Sequence, residues 1–315
     1  ALALPCSTTL LASHAGVSRV DNEDPNEMHV APKALNGIVP FAVTGNLKYY
    51  GGKVIPNVKI YQVNYGTGTY IPEVAGTQMG AFYAQVTNSA YIDWQSEYNT
   101  VGVVPQDGGA SSNQTIGRGT FAGKIAITPN SARNGSTITD AQIQTELKAQ
   151  ITAGVLPMPD ANTLYMVHFP AGKTISQGGS NSCAAGGFCA YHGTVPAASP
   201  IPEFYYGVMP DMSSSSGCAS GCGSSTTFNN QTSVASHEVF EAITDAEVGI
   251  GTTVSRPLAW YDTTNGENGD ICNAQQGTIV GTDGVTYTVQ QLWSNRYGAC
   301  IVTPRPSSSA LQSCC

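Results

Sequence analysis

Charge is what this sequence has least of. Asp, Glu, Lys and Arg make up 11% of its 315 residues, less than half of the ~25% usual in globular domains. Disorder combines low hydrophobicity with high net charge, and a chain that is 41% apolar does not fit that description. Basic residues are scarcer still, 13 Lys and Arg against 21 Asp and Glu, for a net charge of -8. Such a field repels phosphate backbones and anionic headgroups, so neither nucleic acid nor a membrane is an expected partner. No apolar run approaches the ~20 residues of a membrane span. The G-x-S-x-G elbow, the P-loop and the dinucleotide fingerprint are also missing, and with them any positive sign of a serine hydrolase or a nucleotide enzyme.

The chain is rich in Gly, with 35, and holds nine Cys. Its length is enough to bury roughly three quarters of the unfolded surface in a full core. The cysteines suggest an oxidising compartment. Their spacing predicts local bridges Cys183–Cys189 and Cys218–Cys222, a bridge Cys272–Cys300, and Cys6 paired with Cys314 or Cys315. The odd cysteine is then available for self-association. Sequons at Asn113, Asn134 and Asn230 are candidate glycosylation sites. An opening at Ala1 without Met reads as a processed N-terminus. Together these features predict a secreted protein, extracellular or associated with the cell wall.

Residues 1–40 lack sustained periodicity and read as an N-terminal arm; 41–304 read as one domain and 305–315 as a tail. Alternation over Val58–Tyr65 predicts a strand, and residues 73–89 and 91–94 read as helices. Lys124–Ile127, Leu164–Phe169 and Phe204–Met209 are further strands. A helix capped at Thr139 or Ser136 buries Ile143, Leu147 and Ile151. The order of elements predicts an α/β or α+β domain with a mixed, mostly parallel sheet and disulfide-pinned loops.

The stretch from Gln231 to Val248 predicts a late helix, capped by Thr232 or Ser233 and ended by Gly249. Ala235, Val239, Ala242, Ile243 and Ala246 form its apolar face. His237, Glu241 and Asp245 stack on another stripe at intervals of four. Residues 174–295 hold ten acidic side chains and one basic one, Arg256, so these carboxylates have no obvious salt-bridge partner. A divalent cation would relieve their repulsion. His237-Glu238-Val239-Phe240-Glu241 has the form of the zinc-protease motif H-E-x-x-H with Glu in place of the second His. His237 and Glu241 are therefore candidate ligands, and Glu238 is the candidate general base. Glu267 is the expected third ligand, with Asp262, Asp270 and His192 as alternates. Zinc is the favoured ion; a carboxylate-rich set also suits calcium or manganese. His168 reads as a satisfied core histidine, and Asp93 with Glu97 as a solvated face.

Several motifs, taken in order, carry a resemblance. Tyr50-Gly51-Gly52-Lys53-Val54, Val58-Lys59-Ile60-Tyr61, Cys189-Ala190-Tyr191-His192, Ser236-His237-Glu238-Val239-Phe240-Glu241-Ala242-Ile243-Thr244-Asp245, Trp260-Tyr261-Asp262 and Glu267-Asn268-Gly269-Asp270-Ile271-Cys272 resemble the EXORDIUM or phosphate-induced secreted family and its microbial relatives. That resemblance spans roughly residues 45–302 and implies an extracellular or wall-associated protein with a zincin-like fold. It does not bring a settled reaction. The expected function is peptide hydrolysis by a metal-activated water. The alternative is a non-catalytic wall protein that binds polysaccharide or itself and keeps the metal as a structural clamp.

Overall fold

Alternating side chains on strands that are buried along their whole length organise the molecule. The computed structural model describes residues 30–32, 44–249 and 258–304. Its strands are β1 (Val30–Pro32), β2 (Lys48–Tyr49), β3 (Lys59–Tyr65), β4 (Thr120–Ile127), β5 (Thr137–Thr139), β6 (Thr163–His168), β7 (Thr174–Gln177) and β8 (Ser180–Asn181). They continue with β9 (Phe188–Val195), β10 (Phe204–Met209), β11 (Trp260–Tyr261), β12 (Gln276–Val280), β13 (Thr286–Gln290), β14 (Leu292–Ser294) and β15 (Ala299–Ile301). The helices are α1 (Pro72–Ala75), α2 (Gln78–Val86), α3 (Ala90–Asp93), α4 (Asp140–Thr152) and α5 (Thr227–Thr244).

Six strands form the central sheet in the order β1-β9-β10-β6-β3-β4. Pairings from β10 through β6 and β3 to β4 are parallel, and the two at the β1 end are antiparallel. The sheet is thus mixed and mostly parallel, as the element order predicts. Successive residues of β6 and β10 point to opposite faces. Leu164, Met166, Tyr205 and Met209 face the core that contains α2 and α5, while Tyr165, Val167, Tyr206 and Val208 face the core that contains α4. Burial on both faces explains the near-continuous apolar runs of these strands. Helix α5 packs on β9, β10 and β13. At Gly207 of β10 a Cβ would come within 2.6 Å of the Met166 sulfur on the neighbouring β6 and 3.9 Å of the Glu238 Cβ on α5.

Helix α4 starts where the sequence places it, with a full capping box between Thr139 and Gln142. Helix α5 starts earlier than predicted. Its cap is Thr226, and the polar first turn Thr227-Phe228-Asn229-Asn230 hides the helix from a periodicity reading. Asp245, not Gly249, ends it. The sequon at Asn230 falls inside this helix, 5% exposed, with its side-chain oxygen accepting from Ser225 N and Gln276 Nε2. A glycan has no room there, so that candidate site is corrected. Asn113 is exposed and Asn134 half-buried.

The local cysteine pairs are corrected as well. Cys183 bonds Cys218, and Cys189 bonds Cys222. Cys183 sits after β8 with a left-handed backbone (φ 61°), and Cys189 lies in β9. Both bridges run instead to the Ser-rich loop before α5 and fasten it there. Cys272–Cys300 forms as expected and ties the turn Asp270–Cys272 to β15. Cys6, Cys314 and Cys315, the tail and most of the arm lie outside the described residues, but Val30–Pro32 of the arm pairs with β9 as an edge strand of the sheet. Among the described residues no helix is long and apolar enough to cross a membrane.

Candidate metal centre

One buried turn of α5 presents His237, Glu238 and Glu241 toward the sheet and the 267–270 loop, each with no exposed surface. The solvated helix face that a polar stripe usually means is therefore excluded. His192 arrives from the middle of β9, on the same side of that strand as Ala190, and is 1% exposed. Glu267 and Asp270 come from the acidic, Gly-punctuated loop that follows β11.

His237 Nε2 lies 3.0 Å from Glu241 Oε2 and 3.8 Å from Asp270 Oδ1. His192 Nε2 lies 3.1 Å from Glu267 Oε2 and 3.8 Å from Glu241 Oε2. The donors thus gather as two groups, His192–Glu241–Glu267 and His237–Glu241–Asp270, in each of which the ligand atoms lie within 4.8 Å of one another. The expected trio of His237, Glu241 and Glu267 is divided between them. Glu241 belongs to both groups, Glu267 goes with His192, and Asp270 takes the place beside His237. His192, an alternate ligand in the sequence, becomes a member of one group because β9 runs unbroken through Cys189 and Gly193 and turns it toward α5. Asp262 is not in either group. Its carboxylate accepts from the backbone amides of Asn46, Thr264 and Asn265 and so holds a turn.

Around these donors the polar atoms are unevenly served. Glu241 Oε1 accepts from Asp270 N at 2.9 Å. Gln290, from β13, places Nε2 2.8 Å from His237 Nδ1 and 2.8 Å from Gly269 O. The approach is close enough that a Cβ on Gly269 would sit 2.7 Å from Glu241 Oε1 and 2.8 Å from His237 Nδ1. Both side-chain oxygens of Glu238, and Oε1 of Glu267, are buried without a hydrogen-bond partner. Buried polar groups are rarely left so, and each orphan asks for a ligand, an ion or a proton.

Electrostatics tell the same story. Burial would lower the pKa of His237, but Glu241 above all, with Glu238 and Asp270, raises it to about 10. Burial drives Glu238 well above the usual carboxylate range; Glu241 and Asp270 push it further, while His237 and the Ala31 amide oppose them. Glu267 is raised in the same way, by burial first and then by Glu241, Asp245 and Asp270. The group holds too much negative potential for its own cations. A divalent ion fits this donor set of imidazole and carboxylate.

Elsewhere the sequence reading of His168 agrees with its surroundings. It is buried, its Nε2 is 2.9 Å from Tyr83 Oη, and burial lowers its pKa to about 3. Asp93 is exposed and forms a bidentate pair with Arg118, while Glu97 binds Ser294 Oγ and Asn295 N. No protein-family model matches the chain, and no curated protein or solved structure matches it either.

Proposed function

We propose that this chain is a secreted, zincin-like, metal-dependent hydrolase acting on extracellular peptides, with the His237–Glu241 turn as its centre. The observation that carries the reading is Glu238, one residue after His237, fully buried in one electrostatic cluster with His237, Glu241 and Asp270. A bound divalent ion would polarise a carbonyl and make water beside it more acidic. Glu238 is our candidate to accept a proton there, because it is a buried carboxylate that feels His237, Glu241 and Asp270 and whose pKa is raised by burial, which makes it a stronger base than a solvated carboxylate. Glu241 is the common carboxylate of the two donor groups, and His237 and His192 supply the nitrogen donors. Zinc is the first choice and calcium the second. The three disulfides and the resemblance to the EXORDIUM family support the extracellular setting.

A second reading keeps the metal and drops the reaction. The donors and Glu238 are almost completely buried, and the cavity beside His237, lined also by Ala31 and Val234, measures about 10 Å³. That is room for one water at most. A structural clamp in a wall protein that binds polysaccharide would look the same, whereas a hydrolase must first move Ala31 aside.

Elemental analysis of protein purified without chelator, followed by a peptide-library screen, separates the two. Bound metal together with hydrolysis that Glu238→Gln abolishes supports the enzyme. Metal without hydrolysis, and a melting temperature lowered by His237→Ala, supports the clamp. A chain that binds no divalent metal overturns both.

A further inference from the structure

The proposed function requires only that the cluster hold an ion; the geometry points further. We infer that the buried cluster is built for two divalent cations bridged by Glu241, one held with His192 and Glu267 and the other with His237 and Asp270. The inference rests on the metal-binding reading above.

Three features carry it. The first is the sharing itself. Glu241 Oε1 is engaged by the Asp270 amide, so Oε2 is the atom turned to both histidines, 3.0 Å from His237 Nε2 and 3.8 Å from His192 Nε2. One oxygen thus stands at the corner of two triads. Within the triads, the recorded donor separations of 3.0, 3.1, 3.8 and 3.8 Å match the ~3.4 Å between ligands that each lie ~2.1 Å from a tetrahedral ion. A lone ion at one triad would leave the two remaining donors of the other, a histidine and a carboxylate, without a cation.

The second is charge. Glu238, Glu241, Glu267 and Asp270 are each no more than 7% exposed, and residues 174–295 carry a single basic residue, Arg256. Ionised, these four carboxylates sum to -4. One divalent ion offsets only part of that charge, to which the fully buried Asp245 beside Glu267 adds, and two offset more of it. Uncompensated buried charge costs several kcal/mol per ion, so the difference is large on the scale of a protein's stability.

The third is orphaned side chains on both sides of Glu241. Glu267 Oε1, on the His192 side, is buried and unpaired. On the other side, His237 Nε2 is also buried and faces carboxylate oxygens, Glu241 Oε2 at 3.0 Å and Asp270 Oδ1 at 3.8 Å. A single ion at either end serves one of these places and not the other. Paired ions ~3.5–4 Å apart are the arrangement that clamps both oxygens of a displacement, which suits hydrolysis.

The test uses the full chain with free thiols alkylated, stripped by chelator and titrated with zinc under native mass spectrometry. Two equivalents are expected at saturation, one after Glu267→Gln or Asp270→Asn, and none after Glu241→Gln. If those variants do not fold, the wild-type protein loaded with manganese still decides by electron paramagnetic resonance. A bridged pair gives a spin-coupled spectrum in place of the six lines of an isolated ion. Saturation at one zinc, or two manganese ions that are uncoupled, overturns the bridged pair and leaves the single-metal proposal standing. No binding at all overturns both.

Discussion

Tyr191 and His192 are neighbours on β9, yet they belong to opposite kinds of buried polar cluster. On the α4 face, Asp140 Oδ1 accepts from Tyr191 Oη at 2.7 Å and from Tyr206 Oη at 2.6 Å, and its Oδ2 accepts from Gln144 Nε2 at 2.7 Å. That carboxylate has its donors, and burial with Asp140 nearby pushes both phenols well above their usual pKa. On the α5 face, Glu238 and Glu267 carry buried oxygens with no donor. Burial of an acid is common to both faces and so does not distinguish them. The supply of donors does: the first cluster is complete as folded and the second lacks positive charge.

The comparison can be broken in four places. The largest effect is expected at Glu238. If it accepts the proton, Glu238→Gln lowers kcat/KM by about 10²–10⁴-fold while the metal content stays at the wild-type value, read by peptide hydrolysis beside elemental analysis. An unchanged rate would put the α5 cluster in the same structural class as the α4 cluster.

Next comes acid, because two of the buried histidines, His168 and His237, shift in opposite directions. His168 has no cationic form in the fold until about pH 3, whereas in the unfolded chain it protonates near 6.5. The unfolded state therefore binds the extra proton between those values, and stability falls as pH drops from about 6.5 toward about 3, by on the order of 4 kcal/mol for this one group. Urea melts at pH 7 and pH 4 should show a smaller difference for His168→Gln, which keeps a partner for Tyr83. An unaltered difference would refute the assignment.

Third in size is the complete cluster. Asp140→Ala leaves two tyrosine hydroxyls and a glutamine amide without their acceptor, a loss of about 3 kcal/mol in urea unfolding. The loss should be the same with and without zinc. Dependence on zinc would mean that the two faces are coupled through β9.

Smallest, and sharpest in sign, is Glu267→Gln. In chelator it removes a repelled charge and should stabilise by about 1 kcal/mol; with zinc it removes a ligand and should destabilise by a similar amount. Thermal melts under the two conditions check whether the sign reverses.

Much of this architecture was legible because it follows simple periods. The strands β3, β6 and β10 and the Thr139-capped helix α4 show alternation, continuous apolar runs and a capping pattern. His237, Glu238 and Glu241 share one helical turn, so their convergence could be read from spacing alone. The rest depends on contacts between segments far apart in the chain. His192 reaches Glu267 because α5 packs on β9 and holds the 267–270 loop through the Asp270 N–Glu241 bond, and nothing local in the sequence announces that meeting. The cysteines misled for the same reason, since nearness along the chain stood in for nearness in space. Asp140 gave no signal as a hydrogen-bond hub, because its two tyrosine donors come from strands 51 and 66 residues further along the chain.

Ala31 of β1, 3% exposed at the rim of the cavity that His237 lines, bears on time as well as on space. If the proposed ions bind beneath that strand, they would leave only as often as the edge of the sheet opens. Metal exchange would then be slow whatever the intrinsic affinity, and stripping by a chelator would reach a ceiling rate that more chelator does not raise. A centre of that kind is filled as the chain folds, from whatever divalent ion that compartment provides.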